Sequence, residues 1–136
     1  MKPKLLIILL LFAFPLLTAA QKKISFDGYY RTLPDTLNPF SFYLRFYPDS
    51  TVIGTSTAGN PNNLVRWFNK GHDHVSKGSY VLKDSTISFS LKADEGVVQY
   101  TGVLLPQSRL WMHVKSMINK YEAKEEYFFL KMEGLK

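Results

Sequence analysis

Two of the chain's 3 histidines flank a carboxylate in the stretch KGHDHVSKG, as His72-Asp73-His74. Imidazole and carboxylate are ligands that zinc, copper and nickel accept, so the stretch could do metal chemistry. If it is extended, His72 and His74 point the same way and supply two ligands. A closed zinc site needs four and a catalytic one three, so His113 or an acid from another strand would have to complete it. Without that third ligand the stretch is a polar loop, and no metal is assigned to it.

The usual routes to an enzyme are closed. His113 lies between Met112 and Val114, on the side of Trp111 and Lys115. A single imidazole with no recognisable partner does not make a catalytic base. No nucleophile elbow, zinc-protease histidine pair or phosphate-cradling glycine loop is present. With 0 cysteines, thiolate zinc sites, iron–sulfur clusters and dithiol redox chemistry are excluded. No catalytic residue and no cofactor are assigned.

These residues must be held by elements, and the pattern behind them has a period of two. Phe40, Phe42, Leu44 and Phe46 alternate with Ser41, Tyr43, Arg45 and Tyr47. Pro48-Asp49-Ser50 then makes a turn, and Thr51-Val52-Ile53 resumes an extended run. The same device recurs at Tyr80–Leu82, at Ile87, Phe89 and Leu91, at Val98, Tyr100, Gly102 and Leu104, and at Leu110, Met112 and Val114. Lys83-Asp84-Ser85, Asp94-Glu95-Gly96 and Pro106-Gln107-Ser108 are the turns between these runs. With Ser25–Arg31 at the start and Glu125–Met132 at the end there are eight strands. Short loops between them favour an antiparallel up-and-down barrel.

Two segments depart from this pattern. Asn60-Pro61 resembles a helix start, Leu64, Trp67 and Phe68 share a helical face, and Gly71 is a stop, which predicts a short helix over 61–70. A strand through Leu64–Phe68 is the rival. Residues 116–124 are polar and read as a longer surface loop. On the last strand Glu126 alternates with Phe128, Leu130 and Met132. It is expected at the barrel rim or reaching inward, the rim being preferred because an unpaired buried carboxylate is costly.

The chain of 136 residues carries 17 Lys and Arg against 11 Asp and Glu, a formal charge of +6. The bases are interleaved with acids and form no stripe, which argues against a nucleic-acid partner. Residues 1–20, MKPKLLIILLLFAFPLLTAA, have the parts of a secretory signal: Lys2 and Lys4, an apolar run from Leu5 to Leu17, and small residues before Gln21. The run is shorter than the roughly 20 residues of a spanning helix, so no membrane span is expected after cleavage. Cleavage after Ala20 would leave 21–136 as one secreted or periplasmic domain, able to stand without disulfides. Its oligomeric state is not legible.

Phe26-Asp27-Gly28-Tyr29-Tyr30, the hairpin from Leu44 to Val52, and the series Gly78-Ser79-Tyr80, Ile87-Ser88-Phe89 and Tyr100-Thr101-Gly102 resemble the small lipocalin-like barrels of secreted bacterial proteins. Tyr30 stands where that family has a first-strand Trp, and Lys131 where it has a late Arg. The resemblance implies a non-catalytic barrel holding a small apolar ligand. Phe42, Leu44, Phe89, Leu91, Tyr100 and Met112 would line its interior, unless their bulk simply fills it. The alternative is a protein-interaction or inhibitor module that uses loops and an outer aromatic set of Tyr43, Tyr47 and Trp111.

Overall fold

The computed structural model describes residues 22–135; the expected signal segment lies outside them. Eight strands, β1 (Gly28–Arg31), β2 (Ser41–Phe46), β3 (Thr51–Thr57), β4 (Ser76–Lys83), β5 (Thr86–Ala93), β6 (Gly96–Leu105), β7 (Arg109–Ser116) and β8 (Glu122–Lys131), follow one another around a closed barrel. Every pairing is antiparallel, and β8 returns to β1 with Tyr30 opposite Phe129. This is the barrel that the period-two pattern implies, and its closure gives every strand a neighbour on both sides.

The tight turns follow from their residues. At 47–51 the amide of Tyr47 donates to the carbonyl of Thr51 (2.9 Å) and Asp49 Oδ1 accepts from the amide of Thr51 (3.0 Å). Ser50 takes a positive φ of 73°, the left-handed residue of a three-residue hairpin loop. Asp84 at 54° and Gln107 and Ser108 at 64° and 53° serve the same purpose in the turns to β5 and β7.

These three turns share one end of the barrel with the N-terminal segment. That segment crosses the end instead of extending β1 back to Ser25. Ile24 enters the core, the amide of Ser25 donates to the Tyr30 hydroxyl (2.9 Å), and Ser25 Oγ meets Ser108 Oγ (3.2 Å). Tyr30 is fully buried as the closing plug, whereas Lys131, opposite Gly28, is exposed. Above the plug, Phe46 receives Tyr30, Tyr80 and Phe89 edge-on at centroid distances of 5.5, 5.2 and 5.6 Å. Phe89 then stacks on Tyr100 at 4.7 Å. A column of rings thus runs from the closed end towards the open one.

A second core lies outside the barrel, against the face of β2 expected to be exposed. Tyr43 and Tyr47 are only 2% and 8% accessible, and with Tyr29 and Ile53 they pack under Leu64 and Phe68 of the connection between β3 and β4. The outer aromatic set therefore shrinks to Trp111. Arg45 is buried with them, donating from Nη1 to the carbonyl of Phe68 (2.7 Å) while its guanidinium lies 4.5 Å over the Tyr47 ring. Lys70 adds a backbone N–H to the Tyr47 hydroxyl (3.0 Å) and an ammonium to Asp49.

That packing shortens the helix expected over 61–70. Asn60 caps a 3₁₀ turn at Pro61–Asn63, and one α-turn, α1 (Leu64–Trp67), follows. Phe68 leaves helical geometry at φ −91°, ψ 62°, and its carbonyl goes to Arg45. The helix thus stops before Gly71. Gly78 lies inside β4, where a Cβ would overlap the carbonyl of Ser90 on β5. The expected loop 116–124 contracts to 117–121. Glu122 and Lys124 are already in β8, polar because they face solvent opposite Lys115 and His113.

Two substitutions test these cores by urea unfolding. Phe46→Ala should cost about 3–5 kcal/mol, since it removes the ring on which three strands lean. Arg45→Ala should cost about 2–3 kcal/mol through a lost charged hydrogen bond and lost stem packing.

Candidate functional site: a hollow at the open end

Towards the open end the inward side chains change character. On β6 Leu104 gives way to Tyr100 and Val98, and on β7 Leu110 and Met112 give way to Val114 and Ser116. The smaller residues leave space above Tyr100. A hollow of about 400 Å³ results, walled by Phe42, Val98, Tyr100, Val114 and Ile118. A second, of about 340 Å³, lies under the β1–β2 loop against Thr32, Leu33, Phe40 and Phe128. Asn38, Phe42, Tyr121 and Glu125 border both.

Two loops shape this mouth. In the first, Asp35 Oδ1 accepts from the amides of Leu37 and Asn38 (2.6 and 2.7 Å), and Thr32 Oγ1 accepts from the amide of Phe42 (3.0 Å). In the second, the amide of Ser116 donates to the carbonyl of Tyr121 (2.7 Å) and that of Met117 to Val97 on β6 (2.9 Å). Ile118 and Tyr121 are thereby held over the opening, where the Tyr121 ring stacks on Phe42 at 6.5 Å.

The polar element of the hollow is Glu125. Its Oε1 accepts from the Tyr121 hydroxyl (2.8 Å) and its Oε2 from the Tyr127 hydroxyl (2.7 Å). Burial, reinforced by the neighbouring carboxylate, pushes the Tyr121 phenol up to about 12. Burial raises Tyr127 and Tyr100 as well, with Tyr100 and Glu125 adding to the shift at Tyr127. All three phenols therefore remain protonated donors throughout the neutral range.

Of the six residues expected to line the interior, Phe42 and Tyr100 form walls of the hollow. Leu44, Phe89, Leu91 and Met112 pack in the core beneath it. Val98 and Val114 complete the wall, and their alternation with Tyr100 and Met112 already put them on the inner face. Glu125 carried no such signal. The inward face of β8 is Glu125, Tyr127 and Phe129; Glu126 faces outward and pairs with Arg109 (2.9 Å). The expectation that Glu126 reaches inside fails because Phe128, Leu130 and Met132, apolar as they are, lie on the outside; Glu126 stands at the rim of the second hollow. Met132 packs against the outer core.

The histidines lie elsewhere. His113 is on the outer face and does have a partner, Glu122 at 2.7 Å. His72 packs its ring against Trp67 at 5.0 Å. Among the described residues no three His, Asp or Glu side chains converge as metal ligands, and His72 and His74 gain no third. In comparisons with known proteins, no family model, no curated protein and no solved structure matches this chain.

The phenols generate a pH prediction. Above the ordinary tyrosine pKa near 10 the unfolded chain releases protons that the folded chain keeps, so stability falls as pH rises from about 10 towards 12. The doubly substituted Tyr121→Phe, Tyr127→Phe protein should lose less stability over that interval than the wild type, as read by urea midpoints at successive pH values.

Proposed function

We propose that this chain is a non-catalytic, lipocalin-like binding protein, acting outside the cytoplasm, that holds a small and mostly apolar molecule in the open end of its barrel. The observation that carries the reading is the hollow of about 400 Å³ above Tyr100, a size within the range of ordinary small-molecule sites. A barrel of eight strands can be filled completely by side chains. This one is filled only as far as Tyr100. The three histidines stand away from the hollow, which leaves it without an imidazole to act as base.

A second reading, a surface for a protein partner, takes support from the rim. Leu33, Leu37, Phe40, Met117 and Ile118 all leave large apolar side chains exposed around the opening. The same rim suits a carrier, because it shields an apolar guest that protrudes from the mouth.

The test is titration with N-phenyl-1-naphthylamine, a neutral apolar fluorophore, alongside Val114→Trp. The wild type should bind the probe, while the indole fills the hollow and weakens binding by at least about tenfold with the unfolding midpoint little changed. Equal binding by both proteins, or none by the wild type, would count against a carrier and for the partner surface.

A further inference from the structure

We infer that the molecule held in the hollow carries a protonated amine, received by Glu125 between the rings of Phe42, Tyr100 and Tyr121. The inference rests on the carrier reading and specifies the chemistry of its guest.

Glu125 borders both hollows. An ionised carboxylate offers about four acceptor positions, and the hydroxyls of Tyr121 and Tyr127 occupy two. Those phenols fix the orientation of the carboxylate without neutralising it. Two other carboxylates border the second hollow: Glu126 is paired with Arg109, and Asp35 is exposed on its loop, with Oδ1 accepting two amides of that loop. Among the described residues no Lys, Arg or His lines either hollow, although the chain carries 17 Lys and Arg. In a basic protein, positive charge is thus missing from the lining of the guest chamber.

That arrangement discriminates between head groups. A fatty acid would bring its carboxylate against Glu125 with no cation to offset the repulsion. An alcohol could donate one hydrogen bond. A primary ammonium donates up to three, pairs with the charge, and lies against aromatic faces that attract cations. The stacked Phe42 and Tyr121 rings and the ring of Tyr100 border the same hollow as the carboxylate. The tail of such a guest would occupy the wall of Val98, Val114 and Ile118.

Octylamine, 1-octanol and octanoate share one tail and differ in the head group. Titrated calorimetrically into the whole chain at about pH 7, where the amine is charged and the acid ionised, octylamine should bind at least about tenfold tighter than octanol, with octanoate weakest. Glu125→Gln should bring the amine to within about twofold of octanol, while Glu122→Gln, on the outer face beside His113, keeps the wild-type ranking. Equal affinities, a preference for octanoate, or an amine preference that survives Glu125→Gln would overturn the inference, and the octanol binding seen alongside would leave the carrier reading standing. Failure of all three to bind would overturn both. If Glu125→Gln does not fold, the wild-type ranking decides.

Discussion

The ring of Phe46 touches three other aromatic rings edge-on, one each from β1, β4 and β5, and the interior of the barrel is arranged around that contact. Edge-to-face pairs are worth about 0.5–1.5 kcal/mol each beyond the area they bury, and three on one ring hold four strands to a common centre. With Tyr30 below and Phe89 beside it, Phe46 makes the closed half solid. Phe89 passes the stack on to Tyr100, and there the large side chains stop. The hollow is what remains when a column of rings ends short of the rim.

One residue type does three jobs in this barrel. Phe46 and Tyr30 fill space. Tyr43 and Tyr47 join a layer outside the barrel, where β2 is buried on both faces and a charged guanidinium is buried with them. That layer ties the connection between β3 and β4 to the wall, and Arg45 is its clasp because one cation both satisfies the carbonyl of Phe68 and covers the Tyr47 ring. Tyr121 and Tyr127 act through their hydroxyls instead, holding a carboxylate at the mouth. Desolvation keeps them protonated, so the donors that orient Glu125 persist at neutral pH.

Much of the architecture was legible along the chain. Alternation together with short extended runs located all eight strands, and Pro48-Asp49-Ser50, Asp84-Ser85 and Pro106-Gln107-Ser108 marked the turns, because these signals act between residues close in sequence. The candidate site was legible in part. Phe42 and Tyr100 were on the inner face by alternation alone, yet nothing local distinguished them from Leu44, Leu91 or Met112, which are packed solid. On β8 both faces carry bulky apolar groups, so alternation could not say whether Glu125 or Glu126 turns inward.

The sequence by itself determined the number, order and antiparallel pairing of the strands, since side-chain period and turn chemistry are properties of short segments. Only the tertiary structure decided where helix 64–67 stops, which glutamate faces the interior, and that Tyr43, Arg45 and Tyr47 are covered. Each of these depends on a group far away in sequence: the guanidinium that takes the Phe68 carbonyl, the register of β7 on β8, the connection that folds back over β2. The hollow is the clearest case, because empty space is a difference between the volume that eight strands enclose and the side chains they bring to it, and no single strand carries that difference.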